Sequence, residues 1–280
     1  MRVAVLGDAS GWMKPVFCAL SSLGVRVDLD RFSWPDDLVV VQVGDLIDKG
    51  PDGDHLVAWV DEVMRRCPGR WLQLFGNHEA RFLGGPPFGG RGRYDVAPAT
   101  TATLRRWANT GAARLAVALR TTKREWLVTH AGMTQVLWQH VGAPQDAATA
   151  AAALNHLLIY NPAVALQAGA QLLLDTESGV TWTTSEELYA SWESAAMPFD
   201  QIVGHSSPYD FVANGWRADL PLHARVDAAL ATPDDEIAAR RTWLPVGGRD
   251  VVFIDPGFGA CRPRMPLVAF VLTNASVADR

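Results

Sequence analysis

The chain has 280 residues, 49% of them hydrophobic and 20% charged, with a formal net charge of −5. That is the composition of an ordinary globular protein, and its acidic balance offers no basic footprint for a nucleic-acid backbone. Three scattered cysteines, Cys18, Cys67 and Cys261, exclude a disulfide framework and a thiolate zinc site, and no apolar run approaches the ~18 residues that a membrane span needs. Met1 leads into an apolar run with no basic segment or cleavage pattern, so the expected location is cytoplasmic, with no membrane partner.

In chain order, Arg2 to Leu6 reads as a short strand ending in Gly7-Asp8-Ala9-Ser10-Gly11. Val16, Phe17, Leu20 and Leu23 then recur at helical spacing until Gly24 stops them. Leu38 to Val43 is a β-branched run ended by Gly44-Asp45-Leu46-Ile47-Asp48-Lys49-Gly50-Pro51, which reads as a buried parallel strand. A helix over Leu56 to Met64 stops at Cys67-Pro68-Gly69, and a third strand, Trp71 to Phe75, runs into Gly76-Asn77-His78-Glu79. Three strand-helix repeats imply right-handed crossovers and a largely parallel sheet.

Gly84 to Pro98 holds five Gly and three Pro and reads as a long loop, from which Arg81, Arg91 and Arg93 could reach a ligand. Thr100 to Asn109 reads as helix, and Trp126 to Thr129 as a strand entering His130-Ala131-Gly132. From Ala143 to Ala196 the chain is rich in Ala and Leu, with helices expected over Ala147 to Tyr160 and Ala163 to Leu174. We therefore expect one domain over 1–280 with a helical cap inserted at about 143–197. Ile202-Val203-Gly204-His205 returns to the sheet, Ala224 to Arg241 is a helical excursion, and Val251 to Ile254 and Leu267 to Leu272 are closing strands.

The strand ends carry the chemistry, because open α/β sheets keep their ligands at the carboxyl edge. Asp8, Asp45, Asn77, His130 and His205 form an oxygen and nitrogen donor set without thiolate, which suits manganese, iron or zinc. Five donors are too many for one tetrahedral ion and about right for two ions sharing a carboxylate. Such a pair grips phosphoryl oxygens and lowers the pKa of a bound water, which phosphate-ester hydrolysis needs more than most reactions.

Gly7-Asp8, the Gly44 to Gly50 stretch, Gly76-Asn77-His78-Glu79, His130-Ala131-Gly132 and Gly204-His205, in that order, resemble the motifs of the calcineurin-like metallophosphoesterases. The resemblance is to the branch holding Ser/Thr phosphoprotein phosphatases and bacterial diadenosine tetraphosphatases, and Phe253-Ile254-Asp255-Pro256-Gly257 is similar to that domain's closing Asp-x-Gly turn. It implies a four-layer αββα sandwich and a hydrolase using two divalent cations, manganese first, with iron, zinc or cobalt as alternatives. It implies further that Asp45 bridges both ions, that Asn77, His130 and His205 complete the second site, and that Asp8 serves the first. His78 would donate the proton to the leaving oxygen, Asp48 would orient His78, and Asn77 and Lys49 would meet the phosphate. Lys49 stands where the protein phosphatases carry Arg, so a point charge replaces a bidentate fork. Glu79 is expected to support the ligands.

Ser10 departs from the pattern, since the family's first motif is Asp-x-His. A hydroxyl is a poor ligand for a transition metal, so a weak or water-rich first site is expected. The expected substrate is a phosphate monoester of protein-phosphatase type, carried on a protein, nucleotide or small molecule. A dinucleoside polyphosphate hydrolase and a catalytically impaired scaffold that binds a partner are the alternatives.

Overall fold

Strands whose two faces are both apolar must be covered on both sides, and that requirement sets the layers of this protein. The computed structural model describes residues 1–28, 31–85, 96–167, 178–260, 262–263, 265 and 267–278. Arg91, Arg93, Cys261 and most of the helix expected over Ala163 to Leu174 lie outside the described residues.

The first half of the chain runs β1 (Arg2–Leu6), α1 (Met13–Ser22), β2 (Arg26–Asp28), β3 (Arg31–Ser33), β4 (Leu38–Gln42), α2 (Gly53–Arg66) and β5 (Trp71–Leu74). It continues through α3 (Asn77–Ala80), α4 (Pro98–Thr110), β6 (Ala113–Arg114), β7 (Ala116–Arg120), β8 (Glu125–Thr129) and α5 (Gln135–His140). Then follow α6 (Ala147–Tyr160), α7 (Pro162–Ala165), α8 (Ser185–Trp192), β9 (Asp200–Val203), β10 (Tyr209–Asp210) and β11 (Gly215–Trp216). The chain closes with α9 (Leu222–Ala231), α10 (Asp234–Ala238), β12 (Thr242–Val246), β13 (Arg249–Phe253), β14 (Phe270–Leu272) and β15 (Ser276–Val277).

One main sheet has the order β14-β1-β4-β5-β6 and the other β12-β13-β9-β8-β7-β15. In the first, β1, β4, β5 and β6 are parallel and β14 closes the edge antiparallel. In the second, β8, β9 and β13 are parallel, with β7 and β12 antiparallel beside them. Alternation sorts the side chains. Val3, Val5, Val39, Val41, Val117, Leu119, Val128, Ile202 and Val252 point between the sheets into one core. Their neighbours Ala4, Leu6, Val40, Ala116 and Ala118 face outward onto helices.

On the first sheet those helices are α1, α2 and α4, through residues such as Leu20, Val60 and Trp107. On the second sheet, Leu188 and Trp192 of α8 and Ala224 and Ala228 of α9 cover Val203, Val251 and Phe253. The α6 helix lies on β7 and β8, burying Ala147, Ala150, Ala151 and Leu154. Its N-terminus is capped by Asp146, whose side chain accepts from Thr149 N. The architecture is therefore four layers, αββα. Helices α6, α7 and α8 fall within the 143–197 stretch, and α6 forms part of an outer layer.

Sequence periodicity did not indicate β6, β7 or β12. In β7 the small Ala116 and Ala118 under α6 leave little β-propensity to read, because close helix packing sets those positions.

Ile202 is fully buried between the sheets whereas Leu230 of α9 is 82% exposed. Ile202→Ala should lower the unfolding free energy by about 2–5 kcal/mol, and Leu230→Ala by no more than about 0.5 kcal/mol, as measured by urea denaturation.

Candidate metal centre

Six parallel strands deliver their carboxyl ends to one edge of the sandwich: β1, β4 and β5 from one sheet, and β8, β9 and β13 from the other. The polar residues that follow them are Asp8, Asp45, Asn77, His130, His205 and Asp255. The loops holding them are strained. Among the described residues nine non-glycine residues have positive φ, and Ser10, Asp45, Asp48, Lys49 and His205 are five of them. Such conformations persist only where surrounding contacts enforce them.

Two glycines show how tightly the loops close. A Cβ on Gly204 would sit 2.2 Å from Asp8 Oδ1, and one on Gly76 would sit 2.1 Å from Asp45 Oδ1. Only a bare backbone lets these carboxylates come so near the neighbouring loop. His205 N completes the first contact by donating to both Asp8 oxygens, at 3.2 and 3.1 Å.

The centre is a convergence of lone pairs. His130 is fully buried. Its Nδ1 lies 3.0 Å from the Val43 carbonyl, which can only accept, so Nδ1 carries the hydrogen and Nε2 is bare. Burial, reinforced by His205, holds the ring well below the ordinary histidine pKa and therefore neutral. That bare Nε2 is 3.1 Å from Asn77 Oδ1 and 3.5 Å from Asp45 Oδ1. Turned over, the Asn77 amide would donate at 3.1 Å to Nε2 and to both Asp45 oxygens. In the first orientation the point is free for a cation; in the second the amide hydrogens occupy it. One donor atom from each of Asp8, Asp45 and His130 lies within 4.8 Å of the others.

His205 joins from the side. Its ring centroid is 5.1 Å from that of His130 and 5.9 Å from that of Trp182, whose backbone hydrogen-bonds it. Burial and the nearby His78 bring its pKa down to about 4, so at neutral pH it too offers a lone pair. The carboxyls shift the other way. Burial pushes Asp45 up to about 7 and Asp8 well above the usual carboxylate range, where Asp255 and Asp45 add repulsion.

His78 lies at the rim, its side chain 14% exposed. Nδ1 is 2.5 Å from Asp48 Oδ2, and Nε2 is 3.6 Å from Asp45 Oδ2. Burial pulls its pKa down, but Asp45 and Asp48 outweigh it and the net direction is up. Arg81 Nη2 donates to Asp48 Oδ1 at 2.8 Å, fixing the carboxylate that holds His78. Glu79 accepts from Asp45 N and Leu46 N at 2.8 Å, Gly76 N at 2.9 Å and Ile47 N at 3.3 Å, tying the Asp45 loop to α3. Lys49 is exposed beside this group. Ser10 is buried, its N donating to Asp45 O at 2.7 Å and its carbonyl accepting from Gly50 N at 2.8 Å.

The structure thus brings Asp8, Asp45, Asn77, His130 and His205 together, with His78 and Asp48 adjoining. Sequence reasoning did not foresee the Arg81 to Asp48 pair, the Val43 and Trp182 backbone partners, or the nearness of Asp255 to Asp8. Only Asp255 had a sequence signal, an apolar strand ending in an acidic turn like the others.

The cold-active protein-tyrosine phosphatase of a psychrophilic Shewanella species superposes over 99% of this chain and 78% of its own, with a TM-score of 0.57 at 17% identity. The chain therefore shares the fold of that phosphatase. A mutant form of that phosphatase superposes over the same shares, with a TM-score of 0.54 at 18% identity. No protein-family model matches the sequence. An uncharacterized protein of Schizosaccharomyces pombe is 32% identical over 81 residues, which are 28% of this chain and 24% of that protein.

The donor set fits a divalent cation: two carboxyls raised by burial, a neutral histidine with a bare Nε2 and, in the first Asn77 orientation, an amide oxygen converge on one buried point. A cation bound there competes with protons for Asp45 and Asp8, whose carboxyls burial raises, whereas the neutral His130 and His205 release none. Affinity for Mn²⁺ should therefore rise as pH rises through about 7, the Asp45 value, and more protons should be released per cation at pH 6 than at pH 8. Calorimetry in buffers of different ionisation enthalpy measures both.

Proposed function

We propose that this chain is a metal-dependent phosphoesterase that hydrolyses phosphate monoesters of protein-phosphatase type. The observation that carries the proposal is the convergence of Asp8, Asp45 and His130 at the common strand edge, one donor atom of each lying within 4.8 Å of the others. In our assignment Asp45 would serve both of two divalent cations, manganese first. Asn77, His130 and His205 would hold the second cation, and Asp8 would belong to the first. When bound, such a pair supplies charge to a phosphoryl group and acidifies water.

The remaining roles fall to the chain's own groups. His78, raised by two carboxylates and set at the rim, is placed to give a proton to a leaving oxygen. Asp48, pinned by Arg81, fixes its ring through Nδ1 and leaves Nε2 directed inward. Exposed Lys49 offers a mobile point charge to a phosphate.

A groove of about 520 Å³ beside these loops, bounded by Trp12, Lys14, Pro51 and Arg262 among others, has apolar walls and two cations. It suits an aryl or peptide leaving group, and phosphorylated protein is accordingly the first substrate class to test, before nucleotides and small molecules. Among the described residues no helix is long and apolar enough to cross a membrane. Ser10 supports one other reading, an impaired scaffold that binds without turnover.

With Mn²⁺ and an aryl phosphate, His78→Ala should lower kcat by about 10²-fold or more while metal content stays unchanged. Asp45→Ala should lose both activity and metal. Elemental analysis beside steady-state kinetics reads the two effects separately. Unaltered turnover in His78→Ala overturns the proton-donor assignment, and an inactive wild type that still binds phosphate favours the scaffold.

A further inference from the structure

We propose that the groove beside the site loops selects polypeptide by sequence, taking a stretch of substrate next to the phosphorylated residue with an acidic side chain at its near end and an apolar one beyond. The proposal rests on the phosphoesterase function above. The cavity of about 520 Å³ is one part of a longer trough. A second cavity, of about 470 Å³, shares Lys14, Cys18 and Asp52 with it and continues over Met13, Phe17 and Ser21.

The near end of the trough is built from the loops that carry the site. Gly50 N donates to Ser10 O and Asp52 N to Gly11 O, both at 2.8 Å, so the loop after β1 and the loop after β4 are laced together. A Cβ on Gly50 would fall 2.8 Å from Trp12 Cδ2, which places the Trp12 ring against the turn that follows Asp48 and Lys49. From there the trough follows α1. The eight positions from Met13 to Ser21 span about 12 Å of helix, room for about three or four residues of extended polypeptide.

Charge and surface then divide the trough. Asp52 is spent within the fold, its Oδ2 accepting from Met13 N at 3.2 Å. Lys14 and Arg262 are exposed, and Arg262 lies 5.9 Å over the Trp12 ring. Among the described residues neither cation has a carboxylate partner. In a chain of net charge −5, two unneutralised cations beside a phosphatase site complement an acidic side chain near the phosphate. Farther along, Phe17 is fixed edge-on against Trp59 at 4.9 Å and offers a rigid apolar wall. A nucleotide would use the cations and leave that wall bare, whereas a peptide covers both.

Steady-state kinetics on phosphoserine and phosphotyrosine peptides, flanked on either side by Glu and Leu or by Lys and Ser, test this. Wild type should favour the Glu and Leu peptides by about tenfold in kcat/KM, chiefly through KM, and the preference should shrink as salt rises. Lys14→Glu combined with Arg262→Glu should reverse the order, which a loss of folding could not do. Cys18→Trp, at an exposed position in the trough, should abolish the advantage of Leu over Ser. Equal kcat/KM for all peptides, an order unmoved by the charge reversal, or better turnover of a dinucleoside polyphosphate than of every peptide would overturn the peptide assignment and leave the phosphoesterase standing. If wild type hydrolyses nothing, anisotropy of a fluorescein-labelled Glu and Leu peptide decides separately. Binding that the charge reversal abolishes would uphold the trough and overturn the phosphoesterase, and absence of binding would bring down both.

Discussion

One buried carboxylate holds the site in register. Glu79 accepts hydrogen bonds from the backbone of Asp45, Leu46, Ile47 and Gly76, and so fixes the loop after β4 against the loop after β5. Burial pushes its carboxyl up, and the backbone donors and His78 pull against that shift. The left-handed conformations of Asp45, Asp48 and Lys49 depend on such external restraint, because nothing in their own side chains favours positive φ as strongly as glycine does. Asp45 can then point at His130, and Asp48 at His78.

On that frame the site sorts protons by environment. Burial and repulsion from neighbouring histidines keep His130 and His205 uncharged at neutral pH. His78 is a few ångströms away but faces two carboxylates, which favour its protonated form. Three histidines at one edge thereby divide into two held neutral and one pushed towards its protonated form, and the division follows from what surrounds each ring. Asp8 and Asp45 are the counterpart: buried carboxyls whose ionisation is costly until a positive charge joins them.

Much of this was legible in the sequence, for a physical reason. A strand buried on both faces must be a continuous apolar run, and a Gly followed by a polar residue at its end marks where it leaves the core. Gly7-Asp8, Gly44-Asp45, Gly76-Asn77 and Gly204-His205 stand out on that rule alone. The close approaches at Gly76 and Gly204 show why the small residue precedes the polar one. Helices α1 and α2 were equally plain, because each carries an apolar stripe at helical spacing, and α6 was legible from a stretch rich in Ala and Leu. The strand β7 was not, since Ala116 and Ala118 are set by the packing of α6 over them rather than by any preference of their own.

The sequence by itself determined which residues sit at strand ends and which chemical groups they carry. It could not determine that two sheets meet with those ends at one edge, because pairing β8, β9 and β13 beside one another depends on contacts between residues fifty or more positions apart. Tertiary structure alone decided that Nδ1 of His130 is spent on the Val43 carbonyl and that Arg81 serves Asp48. Each depends on a distance between segments remote in sequence, and local composition carries no record of such distances.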